Sequence, residues 1–186
     1  HAAVERANAR GMDVIGTDHH LPRRRLGEGG SPLDDLPPAY AVINVKRADS
    51  TYPFDGLCGA ATAWKLVHAL IMRGNYGLPV GREKRLLDLV GIATVADMMP
   101  LVGENRVLAH FGLVVLRKSP RPGIRALLKL LRIPQSALTE DDIGFSIAPR
   151  INAASRMDHP HDAFRLLVAE TEEQALEYAK HLDHLN

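Results

Sequence analysis

Apolar and polar positions alternate with two different rhythms along this chain. Val4, Ala7 and Ala9 sit among polar residues and predict a short helix over residues 2–10, closed by Gly11. Met12 to Ile15, short, apolar and partly β-branched, predicts a buried strand that runs into Gly16-Thr17-Asp18-His19-His20. Residues 21–38 carry Arg23-Arg24-Arg25, several glycines and Pro37-Pro38, and predict a long loop without regular structure, a feature often functional. Ala39 to Ile43 predicts a second strand, and residues 44–56 another loop, with Lys46, Arg47, Tyr52 and Phe54. From Gly59 to Arg73, Ala63, Leu66, Val67, Leu70 and Ile71 make one apolar helix face, and Gly74 stops it.

Beyond residue 80 the helical period dominates. Helices are predicted over Glu83–Ala93, Asn105–Arg117 and Pro122–Leu131, and from a Thr139 cap through Ile147. Pro149 to Asp158 reads as a loop rich in hydrogen-bonding groups, and His161–Ala169 and Glu172–His184 as two final helices. The first hundred residues therefore read as α/β and the remainder as almost all α, without internal repeats. In open α/β sheets the chemistry sits beyond the carboxyl ends of strands, where Asp18, His19 and His20 stand.

Composition narrows the picture modestly. The chain has 186 residues, enough for a real core, with 46% apolar and 24% charged positions, ordinary values for a globular domain. A net charge of +1, counting nine histidines as neutral, neither demands nor excludes nucleic acid; any basic surface is local. The single cysteine, Cys58, permits no disulfide within the chain and fits a reducing compartment. No apolar run approaches the roughly 18–20 residues that span a bilayer, and no signal peptide opens the chain, so a cytoplasmic location is expected. The opening at His1 and the helical pattern running to Asn186 read as a piece of a longer protein.

Five groups of residues carry candidate chemistry. In Asp18-His19-His20, imidazole and carboxylate suit a divalent cation; adjacent histidines at a strand end point different ways, so one ligates while the other faces a substrate phosphate. The alternative is a solvated polar loop. Asp97 lies between Val95-Ala96 and Met98-Met99-Pro100, apolar company in which a carboxylate is metal-bound, a helix N-cap or paired with Arg106. In Arg150 to Asp158, Arg150, Asn152, Ser155 and Arg156 separated by alanines can wrap a phosphodiester, or form a structural turn with a salt bridge to Asp158. Gly56-Leu57-Cys58-Gly59-Ala60 opens a helix without the phosphate-loop pattern and reads as packing, with Cys58 a small buried residue. Tyr52, Phe54 and Trp64 could stack bases, although mid-helix Trp64 reads as core.

These segments resemble a known family. GTDHHLP (16–22) is similar to the third motif of the DHH phosphoesterase superfamily, and TVADMMPLVGENR (94–106) to its fourth. INVKRADSTYPFDGLCGAATAWKL (43–66), RPGIRALL (121–128), LTEDDIGFSIAPRINAASRMD (138–158) and LDHLN (182–186) resemble RecJ exonucleases, in order and along essentially the whole chain. The resemblance implies an α/β fold: the carboxyl half of a DHH-type parallel-sheet domain, followed by a mostly helical region. Residues 1–103 would be the C-terminal part of the catalytic core, 104–170 its helical part and 171–186 the start of an interdomain helix. It implies a 5′-to-3′ exonuclease acting on single-stranded DNA in recombination and repair. Mn2+ or Mg2+ would occupy a two-metal site that is incomplete in this chain, because the first two motifs lie upstream.

By the same resemblance His19 and Asp97 would be metal ligands, and His20 would face the scissile phosphate with Asp18 supporting the motif. Arg150, Asn152, Ser155 and Arg156 would contact DNA. Single-stranded DNA and a single-stranded-DNA-binding protein are the implied partners, and the chain alone would be inactive. Ser155 replaces a usual Gly, Val45 a Pro, Ala61 a Gly, and His159 stands where an acid is common. Two other readings compete: a small-substrate DHH phosphodiesterase, which usually lacks the RINAASRMD insertion, and a catalytically dead scaffold, which need not keep His19, His20 and Asp97.

Overall fold

The computed structural model describes residues 1–27, 32–74, 76–157 and 159–186. An α/β region with two small sheets leads into a mostly helical region. Helix α1 (Ala2–Asn8) precedes strand β1 (Ile15–Asp18), which pairs in parallel with β4 (Ala41–Asn44) in the register Ile15↔Ala41 to Asp18↔Asn44. The strand thus begins where the apolar run ends, and Asp18 belongs to it. The register with β4 decides this, not the local hydrophobic run. The stretch read as an irregular loop holds a second, antiparallel pair, β2 (Arg24–Leu26) with β3 (Pro32–Asp34). An Arg24–Asp34 ion pair of 2.6 Å ties these two short strands together. Glu28, which lies in their connection, falls outside the described residues.

Helix α2 (Gly59–Arg73) has the bounds its apolar face predicts. A 3-10 turn (Arg82–Leu86) leads into α3 (Leu87–Ala96), which starts four residues later and ends three later than the predicted helix, and α4 (Gly103–Leu116) follows. Helices α3 and α4 cross in close contact at a pair of glycines: a Cβ on Gly112 would stand 2.6 Å from the Gly91 Cα. Val45, Leu57, Cys58, Ala61, Leu87, Val90 and Leu108 form a small core under α2, against which Trp64 packs while its indole donates to the Glu83 carbonyl at 2.9 Å.

A larger core unites α5 (Pro122–Leu130), a continuous helix built from α6 (Glu140–Asp142), a π turn (Ile143–Ile147) and α7 (Ala148–Met157), then α8 (Pro160–Val168) and α9 (Glu172–Leu185). Thr139 caps it with a reciprocal bond to Asp142. Residues 149–157 are therefore helix, which corrects the loop expectation. Ser155 and Arg156 are exposed and Arg150 and Asn152 half-buried, while Ala153 and Ala154 are buried. Asp158 lies outside the described residues. Among those described, no helix is long and apolar enough to cross a membrane.

Candidate metal centre

Strand β1 delivers the cluster and local hydrogen bonds shape it. One carboxylate oxygen, Asp18 Oδ1, accepts from the His19 N–H at 2.8 Å, the His20 N–H at 3.2 Å and His20 Nδ1 at 2.7 Å. This is how an aspartate folds the following backbone into a turn. The turn breaks the two-fold alternation of the strand. As a result the His19 and His20 rings lie 4.4 Å apart, and ligand atoms of Asp18, His19 and His20 all fall within 4.8 Å of one another. The expectation that the two imidazoles diverge is thereby corrected. Burial alone would raise the Asp18 carboxyl. The bonds from His20 and the His19 backbone outweigh it and hold the group below the ordinary carboxylate value.

Asn44, at the matching end of β4, pins this turn from the other side. It is buried, donates to the His20 carbonyl at 2.8 Å and accepts from the Lys46 N–H at 2.9 Å. Sequence reasoning passed over it; a polar residue ending a strand in parallel register with Asp18 is the signal that marks it.

Asp97 arrives from the C-terminal end of α3. Met98 adopts a left-handed backbone (φ 52°) and closes the helix with Met98 N–H to Val95 O at 3.0 Å and Met99 N–H to Thr94 O at 3.1 Å. That is a Schellman closure with Met where Gly is usual. It places Asp97 at the cap and turns its side chain outward, 47% exposed, with Oδ2 3.5 Å from His19 Nδ1. Asp97 is thus neither buried nor an N-cap, and it faces His19, not Arg106. Helix α2 closes the back: a Cβ on Gly59 would stand 3.2 Å from the His19 ring.

The donor set fits a divalent cation. Carboxylate oxygen suits Mn2+ and Mg2+, and neutral imidazole is the commonest side-chain nitrogen ligand of divalent cations; Asp18 is biased toward its ionised form. Two ligands in adjacent positions on an ion at about 2.1 Å stand about 3 Å apart, close to the His19–Asp97 separation of 3.5 Å.

The structure distributes the remaining predicted residues differently. Asn152 shares a cavity of about 390 Å3 with Asp97, Gly59 and Ala96. Arg150 is turned away, donating to Asp183 of α9 at 2.6 Å and to the Ser146 carbonyl at 2.9 Å. Ser155 is exposed and bonds back to the Asn152 carbonyl. Exposed Arg156 lines a second groove, with Met98, Phe145 and Met157, that meets the first at Ala96 and Asn152.

A strand end bearing Asp-His-His, met by an aspartate from a helix terminus and joined to a helical body, defines a segment of a DHH-type domain. The chain is a homologue of the RecJ single-stranded-DNA-specific exonucleases and matches one part of them. It is 39% identical over 176 residues to the RecJ of Bacillus subtilis and 38% identical over 196 residues to that of Escherichia coli, alignments covering 95% and 100% of this chain. It spans only 20% and 32% of those two proteins. A crystal structure of Thermus thermophilus RecJ in complex with Mn2+ aligns with the whole chain at a TM-score of 0.75 and 32% identity, covering 26% of that structure. A second exonuclease RecJ structure bound to manganese aligns at 0.78 and 32% identity, with 43% of it covered. No family model matches the chain.

Proposed function

We propose that this chain is the segment of a RecJ-type, metal-dependent 5′-to-3′ exonuclease that supplies the Asp-His-His half of its catalytic centre. The observation that carries the reading is the meeting of His19 with Asp97, residues far apart in sequence, beside Asp18 and His20. On this reading residues 1–103 belong to the DHH core, 104–170 to its helical part and 171–186 to the start of an interdomain helix.

His19 and Asp97 hold Mn2+ or Mg2+, which supplies an activated water and charge stabilisation for phosphodiester hydrolysis. The Nδ1 of His20 is engaged by Asp18 at 2.7 Å and its side chain is 78% exposed, so its other nitrogen is free to meet a substrate phosphate. Asn152, in the cavity wall beside Asp97, and exposed Arg156 contact the strand. Ser155 stands next to them. Arg150, ion-paired with Asp183, holds α7 in place so that Asn152 faces the site. Two ligands, His19 and Asp97, are too few for a two-metal site, so the isolated chain is inactive. The substrate is single-stranded DNA in recombination and repair, met in the cytoplasm together with a single-stranded-DNA-binding protein.

The test places this chain in Bacillus subtilis RecJ in exchange for the matching segment and supplies 5′-labelled single-stranded DNA with Mn2+. Release of nucleotides from the 5′ end is expected, with Asp97→Ala losing at least about 100-fold in rate while retaining DNA binding. Undiminished cleavage by Asp97→Ala would remove that residue from the site.

A further inference from the structure

One fully buried side chain joins the segment that carries Asp97 to the segment that packs behind His19, and none of the roles assigned above uses it. Asn105, in the first turn of α4, is 0% exposed. Its Nδ2 donates to the Gly56 carbonyl at 2.8 Å and to the Pro100 carbonyl at 3.0 Å. Both neighbours are acceptors, which fixes the orientation of the amide. Its Oδ1 is buried without a partner among the described residues, an unfavourable state for an amide oxygen. A leucine of similar size would avoid that penalty but could not make the two bonds.

What those bonds join is specific. Gly56 lies three residues before Gly59, the point where α2 presses on the His19 ring. Pro100 lies three residues after Asp97. The Phe54 ring wedges between Gly56 and Gly103, with a Cβ at either glycine 3.0 Å from it. Outside this buried joint, Glu104 accepts from the Tyr52 hydroxyl at 2.8 Å and pairs with Lys65 at 2.7 Å, fastening the same loop to α2 and α4.

We infer that Asn105 is a positioning residue of the metal centre: by tying the entry to α2 to the exit from α3, it sets the separation of His19 and Asp97. The inference rests on the reading of those two residues as ligands of one divalent cation. It assigns Asn105 no contact with the ion or the substrate.

The test compares Asn105→Ala and Asn105→Asp with Leu128→Ala, a control substitution in the helical core. Asn105→Asp keeps the shape of the side chain and removes both donors, so it separates hydrogen bonding from space filling. Amide exchange in the metal-free chain reads the joint itself, at the Thr62 N–H of the first turn of α2 and the Asp97 N–H at the end of α3. Mn2+ titration followed by electron paramagnetic resonance reads the ligands. Both Asn105 variants are expected to speed exchange at the two amides together and leave α5 and α9 protected. Both weaken Mn2+ binding roughly ten-fold, Asn105→Asp no less than Asn105→Ala. Wild-type Mn2+ affinity in Asn105→Asp, exchange rising at one amide alone, or an equal affinity loss in Leu128→Ala would each overturn the role. Absence of Mn2+ binding in the unsubstituted chain would sink the metal reading and the role with it; the exchange data would show separately whether the joint exists.

Discussion

The helical body and the strand-bearing region of this chain are held by different forces. In the helical body Leu116, Leu138, Ile143, Leu166 and Leu182 are all 0% exposed, each contributing on the order of 1.5–3 kcal/mol by burial. Gly123 brings α5 so close to α8 that a Cβ there would fall 1.8 Å from the Leu166 carbonyl. The strands contribute little of this kind. Ile15, Leu26 and Tyr40 are exposed, and the two parallel strands have no third neighbour among the described residues. Yet the ligand cluster sits on that thin sheet, and side-chain-to-backbone hydrogen bonds from Asp18, Asn44 and Asn105 give it shape. Stability and site geometry therefore come from separate sets of residues, and α3, whose Ile92 enters one core and Val90 the other, links them.

The largest effect that separates the two regions should come from Leu128→Ala. It removes a side chain that is 2% exposed in the helical core, and it is expected to cost about 3 kcal/mol of stability, read by urea unfolding. Below its transition the variant should bind Mn2+ as the wild type does. Impaired binding at full foldedness would mean that the regions are not independent.

A much smaller effect is expected at Asp18. Its carboxyl is lowered in the folded state, so it remains ionised to a lower pH than in the unfolded chain. Its contribution to stability is thus fully present above the ordinary carboxylate value and is lost as pH falls through the lowered one. In thermal melts the gap between wild type and Asp18→Asn should be widest near neutrality and close in acid. A gap that widens in acid would reverse the sign of the argument.

The parts legible in the sequence were those that burial dictates locally. Helix α2 was readable because its apolar positions recur at helical spacing and Gly74 follows directly. Helix α7 was not, because a π turn at Ile143–Ile147 shifts the helical phase just before a run of Arg, Asn and Ser that looks like a loop. The β2–β3 pair carries almost no apolar signal, and β1 takes its bounds from pairing with β4, a partner distant in sequence. At the site, Asp18, His19 and His20 announced themselves by adjacency. Asp97 seemed destined for burial because its neighbours are apolar, whereas the helix closure at Met98 turns it to the surface beside His19. Asn44 and Asn105 escaped notice because a buried amide has meaning only through the carbonyls it joins.

The most direct measurement of the central claim is Mn2+ titration of this chain, wild type against His19→Ala and Asp97→Ala, followed by electron paramagnetic resonance. Saturable binding by the wild type is expected, lost in His19→Ala and weakened roughly ten-fold or more in Asp97→Ala, with thermal stability unchanged in both. Binding of equal affinity in all three proteins would contradict the placement of a metal centre at the end of β1.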